Sequence, residues 1–143
     1  MAGKSNAFET DLLELIFNGT AIANIADNAS SSPATNLYVS LHTGDPTDAG
    51  DQTSNECAYT SYARVAVARG AGGWTITGDS VSPVSNIQFA ECTGGTESVT
   101  HWAIGLSSTG SGYLLYAGTV SPTIAVTTGV TPILTTASSV TED

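Results

Sequence analysis

Beyond Asn36 the apolar residues of this chain recur at every second position, in short runs broken by Gly, Pro, Asp and Asn. Such a period places alternate side chains on opposite faces of a strand, and turn residues end each run. Leu37, Val39 and Leu41 alternate with Tyr38, Ser40 and His42, and the run stops at Thr43-Gly44-Asp45-Pro46. Tyr62 to Arg69 repeats the pattern, with Ala63, Val65 and Val67 on one face and Arg64 on the other. Further β-like runs are Gly73 to Thr77, Asn86 to Ala90, Val99 to Leu106, Tyr113 to Val120, Ile124 to Thr127 and a weaker one near Ile133. The pattern predicts eight or nine short strands. With no second helix to cross over between parallel strands, it leaves an antiparallel sandwich, jelly roll or barrel.

Helical spacing occurs once, over Asn6 to Asn18, where Phe8, Leu12, Leu15 and Ile16 share a face. Asn6 with Glu9 fits a capping box, and Gly19 offers a left-handed stop. Thr20 to Thr35 reads as a connecting arm rich in Ala, Asn and Ser. The expected organisation is therefore a helix and arm over 1–35 and a β domain over 36–143, within a single folding domain. The helix face is the candidate interface, docking on its own domain or on a neighbour.

Charge narrows the function classes. The 143 residues carry 13 acidic side chains against three basic ones, Lys4, Arg64 and Arg69, for a formal net charge of −10. Three cations cannot neutralise a row of phosphates, so neither nucleic acid nor an anionic membrane is expected as a partner. No run approaches the roughly 18 apolar residues of a membrane-spanning helix, and no signal peptide is read at the start. Disorder is disfavoured because 41% of residues are hydrophobic.

No constellation for catalysis emerges. Asp45, Asp48 and Asp51 are spaced three apart, which fits a solvated turn rather than the alternating ligands of a calcium loop. His42, Cys57, Cys92 and His101 are scattered singly, unlike the close ligand pairs of structural zinc sites. The histidines are expected as hydrogen-bonded packing residues and the cysteines as free buried thiols. Glycine-rich pieces such as Gly110-Ser111-Gly112 lack the phosphate-binding endings and read as turns. Trp74, weighed as a sugar-stacking platform, is read as a packing residue. No catalytic residue, cofactor or metal is expected.

Four strings, Leu37-Tyr38-Val39-Ser40-Leu41-His42-Thr43-Gly44-Asp45-Pro46, Tyr59-Thr60-Ser61-Tyr62-Ala63-Arg64, Thr100-His101-Trp102-Ala103-Ile104-Gly105 and Leu114-Leu115-Tyr116-Ala117-Gly118, together resemble a family of small tailed-bacteriophage virion proteins. Members are labelled as capsid decoration (cement) proteins or as tail-fibre-like proteins. The resemblance implies a mainly β subunit, an antiparallel, jelly-roll-like β-sandwich, made in the host cytoplasm and incorporated in the virion. It implies a homo-oligomer, expected as a trimer that binds the major capsid protein on the capsid exterior and stabilises the head. The alternative it leaves is a tail-fibre or tail-tip module that recognises a host receptor. It carries no catalytic residues, and it leaves the role of Cys57 and Cys92 open.

Overall fold

A computed structural model describes residues 6–22 and 33–142. Among these, the chain is mainly β, with one short N-terminal helix and nine strands whose registered pairings are antiparallel. It divides into two compact units, one built from Met1–Asn36, Ala68–Asn86 and Thr135–Asp143, the other from Leu37–Val67 and Ile87–Leu134. The expected N-terminal segment 1–35 falls within the first of them. The arm lies largely outside the described residues, although Ile22 at its start is buried.

In the first unit α1 (Asn6–Leu13) runs into a π-helical turn, Glu14–Asn18, which ends at Gly19 in the left-handed region with φ 70°. The helix spans the residues expected of it, and its stop is the expected glycine. The Asn6 side chain of the expected cap lies outside the described residues. The Glu14 carboxylate clamps the π turn by accepting from Asn18 Nδ2 at 2.9 Å and from Thr20 Oγ1 at 3.2 Å. The helix packs on a three-stranded sheet, order β3-β4-β9, formed by β3 (Trp74–Thr77), β4 (Ser80–Pro83) and β9 (Val140–Thr141).

The buried helix positions are Glu9, Leu13 and Phe17. Phe17 meets Trp74 edge to face, with centroids 4.8 Å apart. Phe8, Leu12 and Ile16 each precede one of those positions by one residue, about 100° round an α-helical axis, and Leu15 lies two residues from both Leu13 and Phe17. Phe8 is 37% exposed and the other three are half-buried. Arg69 closes the helix end: its Nε donates to Ile16 O at 2.6 Å, and its Nη2 donates to Leu15 O. These carbonyls have no helical partner, and a cation at a helix C-terminus is favoured by the dipole.

In the second unit a four-stranded sheet has the order β2-β1-β6-β7, from β1 (Asn36–His42), β2 (Val65–Ala68), β6 (Thr96–Gly105) and β7 (Leu114–Thr127). A two-stranded sheet pairs β5 (Ile87–Gln88) with β8 (Ile133–Leu134). Leu37, Val39, Leu41, Val99, Ala103 and Ile104 form much of the core, as the alternation predicts. The two runs expected over Tyr113 to Val120 and Ile124 to Thr127 are one strand. They are joined through an irregularity opposite Val99/His101, where the pairing shifts from Ile124 to Thr119. Pro122 lies in that irregularity, a position a residue without an N–H can occupy.

Candidate functional site

A polar constellation is built at the end of β1, on the side away from β6. Cys57 N donates to Leu41 O at 2.9 Å, Thr43 N donates to Asn55 O at 2.8 Å, and Glu56 bridges His42. The carboxylate of Glu56 is thereby held beside the strand. Leu41 N donates to the Tyr62 hydroxyl at 3.0 Å, so the phenol oxygen stands where a strand carbonyl would. The same hydroxyl donates to Glu56 Oε1 at 3.0 Å.

Arg64 completes the arrangement. Its Nε and Nη2 form a bidentate pair with the Glu56 oxygens, both at 2.7 Å. Nη1 donates to Ser107 O at 2.9 Å and Nη2 to Gly110 O at 2.8 Å. One guanidinium therefore ties a half-buried carboxylate to the loop between β6 and β7. The bond to Glu56 raises the Arg64 pKa above its ordinary value, and burial pushes that of Tyr62 up. Gln52, wholly buried, anchors the loop from within: its Oε1 accepts from Ser107 N at 2.9 Å, and its backbone N–H donates to Gly112 O at 3.1 Å. A Cβ on Gly105 or Gly112 would lie 2.2 or 2.0 Å from the Gln52 side chain, so a side chain at either position would have to displace the Gln52 amide from its place against the loop. An open groove of about 340 Å³ follows, lined by Glu56, Tyr59, Tyr62, Arg64, Ser108 and Thr109 among others.

The histidines occupy the packing roles expected of them. His42 is wholly buried, its Nδ1 2.8 Å from Ser54 O and its Nε2 2.8 Å from Ser40 Oγ. A carbonyl only accepts, so Nδ1 carries the proton and Nε2 accepts from the serine hydroxyl. Burial lowers the His42 pKa, which keeps the ring neutral. Ser40 is also wholly buried, so this serine–histidine pair is closed to solvent. His101, opposite His42 in the register, bonds Thr100 Oγ1 through Nδ1 at 2.9 Å.

Both thiols are free and buried. Burial, together with the neighbouring Glu97 carboxylate, pushes the Cys57 pKa up to about 12. Glu97 accepts from Ala58 N and Tyr59 N. Asp45 and Asp51 accept from Thr47 N and Thr53 N, both at 2.8 Å, in ordinary turn roles. Among the described residues no three His, Cys, Asp or Glu side chains converge as metal ligands. Trp74 is 1% exposed and belongs to the core. Sequence reasoning passed over Arg64, Glu56, Tyr62 and Gln52. The one available signal was Arg64, a lone cation on the polar face of an apolar run in an acidic chain.

Fold and site together define a small acidic antiparallel β protein in which a polar cluster centred on Arg64 holds a surface loop in place. The chain belongs to the family described as Podophage GP4 fiber I protein gp80, which matches residues 3–141. It is therefore a member of a phage virion protein family, in agreement with the resemblance read from its strand and turn strings. No curated protein matches the chain.

Proposed function

We propose that this chain is a non-catalytic structural component of a podophage fibre, working as a homo-oligomer. The observation that carries the reading is the match to a fibre-protein family over residues 3–141. The fold supports it in kind, because the bidentate Arg64–Glu56 pair and buried Gln52 hold a hydroxyl-rich surface loop to its sheet. Preorganised loops lose less conformational freedom on contact with a partner. The net charge of −10, with Arg64 and Arg69 both engaged internally, supports a surface that meets neither nucleic acid nor an anionic membrane.

Capsid decoration, the first expectation from the resemblance, draws its support from acidity, and acidity suits any outward-facing virion surface. Gold labelling of an epitope-tagged chain on intact virions separates the two. Label at the tail, with few copies per particle, is the expected result. Label spread over the head, with a lower DNA-release temperature for heads lacking the protein, would replace fibre with cement.

A further inference from the structure

We propose that β7 is the homotypic assembly edge of this protein: a second copy adds its own β7 antiparallel to the first, joining two four-stranded sheets. This rests on the homo-oligomer part of the functional reading and names its surface.

β7 ends the strand order β2-β1-β6-β7, so β6 pairs with one side and no strand pairs with the other among the described residues. The direction of its backbone groups follows from β1. Leu41 N and O are both engaged on the side away from β6, with Tyr62 and Cys57. Backbone groups alternate along an antiparallel strand, so Ser40 and His42 face β6. Their register partners Ala103 and His101 therefore face β1, and Trp102 and Ile104 face β7. The partners of those two, Gly118 and Tyr116, turn inward, which leaves the N–H and C=O groups of Ala117 and Thr119 pointing outward from the sheet. Both residues are exposed.

An edge of this kind is a template for another strand, and proteins that avoid such pairing commonly place charges on it. β7 carries none. Between Glu97 and Glu142 the chain has no Asp, Glu, Lys or Arg, although its net charge is −10. Two identical acidic molecules meet with least repulsion where each is neutral, which selects a second copy as the occupant. The opposite edge, β2, has four residues against fourteen in β7, so β7 finds its match in length and polarity in another β7. In an antiparallel pair centred on Gly118, Ala117 of one copy faces Thr119 of the other, and both exchange backbone bonds. The irregularity at Pro122 ends the pairing segment. Two paired β7 strands use up each other's free edge, so the product is a closed pair rather than an open sheet.

The test is sedimentation velocity across the micromolar range. The wild-type chain should associate as a dimer. Thr119→Pro removes an outward N–H that β6 does not use, and should weaken the dimer at least tenfold while leaving the monomer's circular dichroism unchanged. Ala117→Glu with Thr119→Glu keeps the backbone intact, places like charges opposite each other twice, and should have the same effect. In the wild type, amide exchange at residues 117 and 119 should slow as concentration rises. A monomer throughout, a trimer, variants that associate like the wild type, or concentration-independent exchange at these amides would each overturn the proposal. Gold-label position is a separate readout, so a failed pairing leaves the fibre reading standing.

Discussion

Removing the Arg64 guanidinium is the sharpest test of how the β6–β7 loop is held. Arg64→Ala deletes two bonds to Glu56 at 2.7 Å and two to loop carbonyls at 2.8 and 2.9 Å. It leaves the Glu56 carboxylate with the Tyr62 hydroxyl as its remaining side-chain donor. Breaking a buried pair by removing one partner costs about 3–5 kcal/mol, whereas an exposed pair is worth about 0–1 kcal/mol. The Arg64 and Glu56 side chains are 2% and 15% exposed, which places the pair near the buried limit, and at about 2–4 °C per kcal/mol for a chain of this size the unfolding midpoint should fall by about 10 °C. Removing both partners, as in Arg64→Met with Glu56→Leu, should recover part of the loss, because no unpaired charge is then left behind. Thermal unfolding followed by circular dichroism reads the stability. Amide exchange at Leu106 and Ser107, whose N–H groups bond Tyr113 O and Gln52 Oε1, reads the loop. A drop below about 3 °C, with loop exchange unchanged, would refute the reasoning by placing the pair among ordinary surface ion pairs.

His42 has a folded pKa below its ordinary 6.5, set first by burial, so the unfolded chain binds that proton more readily. Its contribution to stability is complete above pH 6.5 and is lost as pH falls from there through the folded value. His42→Gln should flatten that part of the stability–pH curve. Cys57, pushed up to about 12, should resist iodoacetamide at pH 8 in the native protein and react once the chain is unfolded, as mass spectrometry of the modified peptide would show. On the helix, Phe17→Ala should cost about 3–5 kcal/mol in chemical denaturation. Leu12→Ala should cost less, because Leu12 is half-buried and Phe17 is wholly buried.

Periodicity carried the strands whose own side chains fill the core. β1 and β6 were legible because Leu37, Val39, Leu41, Val99 and Ile104 are buried at alternate or near-alternate positions. β4 and β9 were not, since each holds one aliphatic residue, Val81 or Val140, among Ser, Thr and Pro. Their register comes from pairing with each other and with β3. The helix was legible in extent, although nothing in the residue pattern marks the π-helical turn over Glu14–Asn18. Within the chain Leu13 and Phe17 are wholly buried, and Phe8, Leu12, Leu15 and Ile16 keep part of their surface exposed. The Arg64 cluster was hidden for a different reason. Glu56, Tyr62 and Arg64 are close in sequence, but their meaning depends on Ser107 and Gly110 more than forty positions away. No local pattern encodes that contact.

The placement of charge ties these observations to assembly. Arg64 and Arg69 are both spent inside the fold, one on Glu56 and loop carbonyls, the other on the end of the helix. Neither is left to attract an acidic neighbour, so two copies of a chain with net charge −10 repel one another wherever their acids approach. In the pairing proposed through β7, the contact is made by neutral backbone and apolar surface and not by ion pairs between Arg and acid. The two origins differ in their response to salt. Association through ion pairs weakens as ionic strength rises. Association through a neutral strand against background repulsion tightens, because the repulsion is screened over about 10 Å at 0.1 M salt. The dimer dissociation constant should therefore fall between low and moderate salt when measured by sedimentation, and a rise over that range would mean that charge attraction holds the copies together.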